Sequence, residues 1–182
     1  MRTIKILAVV LVSALLLSVC AMFASADPIT FKPETKNGKI YGIPANTTVS
    51  QLKNAYYNAI ISVYDLDGRK IGDESVIGTG YIVKINSIQH TAVVMGDLDG
   101  DGQIKTYDYI MVKRAYIGNG ITLTNLQLEA ADVDIDNGKK LSPINYIKIK
   151  RAYMGTYNIN QKYTCDPYDP EADESGWTSG WV

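Results

Sequence analysis

The sequence predicts a small α+β module over residues 39–95, followed by an all-α pair of acidic loop–helix units over residues 96–158. Three observations predict it. Short runs that alternate apolar and polar residues crowd the stretch 39–95, as half-buried strands do. A helix-like run, YIMVKRAYIG (Tyr109–Gly118), returns 37 residues later as YIKIKRAYMG (Tyr146–Gly155). Each copy is preceded by aspartates on alternate residues, Asp97, Asp99 and Asp101 before the first and Asp132, Asp134 and Asp136 before the second.

Taken in order, residues 1–26 read as a signal peptide. Arg2 and Lys5 make a positive start, Ile6 to Leu17 an apolar run interrupted only by Ser13, and Ala24-Ser25-Ala26 a small-residue cleavage site. The apolar run is too short to span a bilayer comfortably, so the mature chain is expected to be secreted and to carry no transmembrane segment. Residues 27–38, with Pro28, Pro33 and Gly38, read as a linker. Thr47–Ala59 reads as a helix, with Leu52, Ala55, Tyr56 and Ala59 at helical spacing. Ile60–Tyr64, Tyr81–Ile85 and Thr91–Met95 read as strands, and Asp67-Gly68 as a hairpin turn. In the second half each repeated run reads as a helix ended by a left-handed glycine, Gly118 or Gly155. Thr122–Ala131 makes a short linking helix between them. Residues 159–182 are polar and acidic and read as a disordered tail.

Charge and cysteine count narrow the function. The whole chain has 18 basic and 19 acidic residues. Losing Arg2 and Lys5 with the leader leaves 16 basic residues against 19 acids, a net charge of −3. That is no nucleic-acid signature. Of the two cysteines only Cys165 survives cleavage, so no intrachain disulfide can staple the fold. An exported small domain without disulfides needs another stabiliser, and a metal ion is a usual one.

The aspartate spacing supplies the site. Three carboxylates held this close repel one another unless a cation sits among them. With Asp97 as loop position 1, Asp99 and Asp101 fall at 3 and 5, Gly102 at 6, Gln103 at 7, Lys105 at 9 and Asp108 at 12. Calcium takes six to eight oxygens, and this spacing wraps them round one centre. Gly102 permits the bend, Gln103 offers its backbone carbonyl, and Asp108 closes the site from the first helical turn. In the second copy the aspartates sit only 35 residues on, so two residues are inserted near Asn137–Lys139. Counting back from the helix, Lys140 supplies the carbonyl of position 7 and Asn145 replaces the closing Asp108. A second, weaker calcium site is the expectation, because asparagine brings one neutral oxygen where aspartate brings two charged ones.

GDLDGDGQIKTYDYIMVKRAYIG and ADVDIDNGKKLSPINYIKIKRAYMG, two loop–helix units closed by aspartate or asparagine and lacking an entering helix, resemble a type I dockerin. The resemblance covers residues 96–157. It implies an antiparallel repeat pair around two calcium ions. The helix faces would dock on a cohesin module of a cell-surface scaffold, within a cellulosome-like assembly for polysaccharide catabolism. The partner-binding positions it implies are Thr106 and Tyr107 in the first unit and Pro143 and Ile144 in the second. The basic pairs Lys113-Arg114 and Lys150-Arg151 join them. Residues 39–95 are similar to a small module often found ahead of dockerins.

Other readings stay open beside this one. The repeats could form a calcium-stabilised structural protein that packs on its own N-terminal module and meets no cohesin. A small accessory enzyme of polysaccharide catabolism is the third reading. Against it, His90 is the only histidine, and the acid pair Glu34 and Glu74 has only a module too small for a substrate cleft to support it. Tyr109, Val112 and Tyr116, with Tyr146, Ile149 and Tyr153, fall at helical spacing and are expected in the core.

Overall fold

The computed structural model describes residues 31–134 and 141–161, and all of these belong to one compact unit. The leader, Asp136, Lys140, Cys165 and most of the acidic tail lie outside the described residues. The described residues form five strands and four helices. The strands are β1 (Glu34–Lys36), β2 (Lys39–Tyr41), β3 (Ile61–Tyr64), β4 (Ile82–Ile85) and β5 (Ile88–Ala92). The helices are α1 (Val49–Ala55), α2 (Thr106–Tyr116), α3 (Asn125–Ala131) and α4 (Pro143–Tyr153). Among the described residues no helix is long and apolar enough to cross a membrane.

The strands make one mixed sheet in the order β1-β2-β5-β4-β3. Only the β2–β5 pair is parallel; the others are antiparallel. Asn37 and Gly38 join β1 to β2, both with positive φ, 51° and 72°. That is the turn whose twist suits a two-residue hairpin, and Asn-Gly is its best sequence. Glu34–Lys36 is therefore strand, where the proline and glycine content suggested linker.

The expected all-α pair standing after a separate N-terminal module is not what the chain builds. The loop–helix units pack against the mixed sheet, and the two halves share a core. The physical reason is the period of two along the strands. Ile40, Ala92 and Val94 join a buried cluster with Val49 and Leu52 of α1. One residue out of step, Tyr41, Val93 and Met95 join a second cluster, with Met111 and Val112 of α2, Ala130 and Ala131 of α3, and Ile149 of α4. A sheet with only α1 to cover it would leave those three side chains in water. Each is worth about 1.5–3 kcal/mol when buried.

Polar contacts lock the same joint. Lys39 and Tyr41 on β2 both donate to the carboxylate of Glu129 on α3. Gly96 N–H donates to the Ala130 carbonyl at 2.7 Å. Beyond α4 the chain returns over the module. Gln161 pairs its side-chain amide with both backbone groups of Met95, at 2.8 and 3.0 Å, and its carbonyl accepts from Gly42 N–H at 2.8 Å. Ile159 packs on the second core cluster. The first residues assigned to the tail, 159–161, are thus part of the fold.

The helix ends follow from local sequence. Thr48 and Gln51 cap α1 reciprocally, and Thr124 and Gln127 do the same for α3. At the far ends of α2 and α4, Gly118 and Gly155 turn left-handed. Asn119 N–H then reaches the Arg114 carbonyl at 2.9 Å, and Thr156 N–H that of Arg151 at 2.8 Å. Val112 and Ile149 are fully buried, as helical spacing predicts. Tyr116 and Tyr153 are not core; both stand substantially exposed at the last turn of their helices.

Candidate metal centre

The first acidic loop runs from Asp97, just past β5, to Asp108 in the first turn of α2. Asp97 is fully buried and accepts three backbone N–H groups. They come from Thr79 (2.7 Å), Gly100 (2.8 Å) and Gly102 (3.0 Å). Asp108, also fully buried, accepts from Leu98 (2.7 Å) and Asp99 (3.2 Å) with one oxygen and from Lys105 (2.7 Å) with the other. The last bond caps α2, whose N-cap residue is a lysine with no acceptor of its own.

Asp97, Asp99 and Asp108 each bring a carboxylate oxygen within 4.8 Å of the others, and these three could hold a metal ion. That span suits oxygens on a shell of radius about 2.4 Å, the calcium–oxygen distance. The electrostatics favour added positive charge at the cluster, whether a proton or a metal ion. Burial pushes the Asp97 carboxyl up to about 7, against its three hydrogen bonds, and the neighbouring Asp108 charge pushes the same way. Burial also raises Asp108, helped by the charge of Asp99. A buried carboxylate pair with no counter-charge is the costly arrangement that a divalent ion repairs.

The remaining loop positions are placed differently. Asp101 stays out of the triad: its carboxylate accepts from Gln103 N–H at 2.9 Å and pairs with the ammonium of Lys105. That pair is open to water, with side chains 35% and 49% exposed, so it holds the carboxylate only weakly. Gly102 has φ +77°, and a Cβ there would lie 2.5 Å from the Ile77 carbonyl oxygen. Asp132 ends α3 as its C-cap residue, and Asp134 follows on the loop beyond it. Asn145 is buried in the first turn of α4, where its Oδ1 accepts from Ser142 N–H at 2.7 Å. The eight expected partner residues all lie exposed, Thr106, Tyr107, Lys113 and Arg114 on α2 and Pro143, Ile144, Lys150 and Arg151 on α4.

Residues outside the repeat complete the first loop. Thr79 N–H holds Asp97, while the Thr79 hydroxyl bridges the N–H and carbonyl of Val94, each at 3.1 Å. Asn46 N–H holds the Gly102 carbonyl at 2.7 Å. Gly78 runs so close that a Cβ on it would lie 1.9 Å from the Gly100 oxygen. The sequence signal was Ile77-Gly78-Thr79-Gly80: glycines inside a strand-like stretch mark a close backbone approach. No family model, no curated protein and no solved structure matches the chain, so the resemblance to dockerins rests on the repeated residues themselves.

Proposed function

We propose that this chain is an exported, non-catalytic, calcium-dependent binding domain that docks on a cohesin-like module of a cell-surface polysaccharide-degrading complex. The observation that carries the reading is a duplicated apolar surface. Tyr107, Ile110, Tyr116 and Ile117 are exposed along α2 and its end. Their counterparts 37 residues on, Ile144, Ile147, Tyr153 and Met154, are exposed along α4. Single exposed apolar residues need no explanation, but the same four positions left open twice, beside paired basic residues, support a partner surface. Calcium in the first loop would hold α2 in place by its first turn, which links metal to docking.

A second reading draws support from the shared core of Tyr41, Val93 and Met95 with α2 and α4. In it the ion only stabilises a structural domain packed on its own sheet. Immobilised cohesin modules separate the two. Capture of the full chain in calcium, abolished by chelator, is the expected result. A chain whose melting temperature rises with calcium but which no cohesin retains would favour the structural reading.

A further inference from the structure

Of the described positions at which the second unit departs from the first, two bear directly on the carboxylates of its loop. Asp134 occupies loop position 3, where the first loop has Asp99. Its carboxylate pairs with the ammonium of Lys148, and the two side chains are only 8% and 25% exposed. Lys148 lies one 37-residue repeat beyond Met111, a buried member of the second core cluster. Where the first helix carries an apolar core residue, the second carries a cation. At the closing position, Asp108 is replaced by Asn145, which is equally buried. Asn145 and Ser142 cap α4 reciprocally, and among the described residues the Asn145 Nδ2 group has no hydrogen-bond partner. An amide nitrogen is a donor and cannot ligate a hard cation.

We infer that Lys148 is a built-in counter-ion for Asp134 of the second loop, supplying at that carboxylate the positive charge that a metal ion would supply in the first, so that the pair keeps calcium from it. Its pair with Asp134 differs in kind from that of Lys105 with Asp101. The Lys105 pair is exposed and screened by water, so calcium can take its carboxylate; the Lys148 pair is largely withdrawn from solvent. An ammonium and a divalent ion sharing one carboxylate would repel each other at close range, so one excludes the other. The expected second, weaker calcium site is therefore not a site in the native chain. This rests on the calcium reading of the first loop only for the absolute number of ions bound.

The test counts calcium bound per full-length chain by equilibrium dialysis at saturating calcium. The native chain should bind one ion, and Lys148→Arg should match it. Lys148→Met, which installs the residue of the first repeat, should bind one more, as should Lys148→Gln, a neutral variant that keeps length and polarity. Two ions on the native chain would overturn the inference whether or not any variant folds. So would equal counts for the native chain and a folded neutral variant. Zero ions on the native chain with one on Lys148→Met would defeat the calcium reading of the first loop while leaving the role of Lys148 standing.

Discussion

Asp97 accepts three backbone N–H groups, yet burial pushes its carboxyl up to about 7, because desolvation of a fully buried charge outweighs the bonds that favour it. A stability profile follows for the metal-free protein. The folded carboxyl binds its proton more tightly than the unfolded one, whose pKa is the ordinary 3.8. Stability is therefore fully present below about 4 and is lost as pH rises through about 7, by an amount on the order of 4 kcal/mol. Asp108 is shifted in the same direction and adds to the slope. A calcium ion bound there would take the place of the proton, so the loss should vanish in its presence. Denaturation midpoints measured in chelator at pH 4, 5.5 and 7 should fall with pH, and those in calcium should not. Asp97→Asn should flatten the chelator series. A chelator midpoint equal at all three pH values would mean that the carboxylates are not desolvated as described.

Helices α2 and α4 are copies, but their leading turns differ. α2 opens on Thr106 and Tyr107, a hydroxyl and a large aromatic with a polar tip; α4 opens on Pro143 and Ile144, which offer area and no side-chain hydrogen bond. A partner surface fitted to the first pair would leave polar groups unpaired against the second, at about 1–3 kcal/mol each. Docking should accordingly be led by α2. Replacing Thr106 and Tyr107 together with alanine should weaken cohesin binding about tenfold or more, while the same change at Pro143 and Ile144 should cost less than about threefold. Equal losses from both pairs would show that the two faces dock interchangeably. At this scale much was legible from sequence, since α2 and α4 end at their predicted glycines and β3 and β4 fall inside their predicted runs. β5 (Ile88–Ala92) starts three residues before the expected Thr91–Met95, and three further misses have local causes. Thr48 caps α1 one residue after the predicted helix start, and the helix ends at Ala55, four residues short of the predicted Ala59. The Asn37-Gly38 turn carries the same residues that punctuate a linker. Helical spacing could not tell Tyr116 and Tyr153, at the fraying last turn, from the buried Val112 and Ile149.

The largest correction is at the scale of the whole molecule, and its cause is distance along the chain. Periodicity reports which face of an element is apolar but not which distant element will cover it. The bonds that join the halves span long separations: 18 residues from Thr79 to Asp97, 66 from Met95 to Gln161 and 90 from Lys39 to Glu129. The three loop aspartates are legible because their spacing is local; the glycines around Thr79 mark a close backbone approach, but not that Thr79, Asn46 and Gly78 reach this loop, because they come to it from the sheet module. The candidate metal centre is consequently built by the joint rather than by the repeat alone. Excised residues 96–161 would keep every carboxylate of the first loop while losing the Thr79 bond to Asp97, the Asn46 bond to Gly102, and Tyr41, Val93 and Met95 from the core. That fragment should gain little helix with calcium by far-UV circular dichroism and bind the ion far more weakly than the full chain. Gly78→Ala tests the same joint with the chain intact, since its Cβ would lie 1.9 Å from the Gly100 oxygen and force the loop off the sheet module. The expected cost is about 3 kcal/mol of stability, with a matching fall in calcium affinity. If the fragment folds and binds calcium like the full chain, and Gly78→Ala leaves the affinity unchanged, the loop–helix pair is autonomous and the sheet merely lies against it.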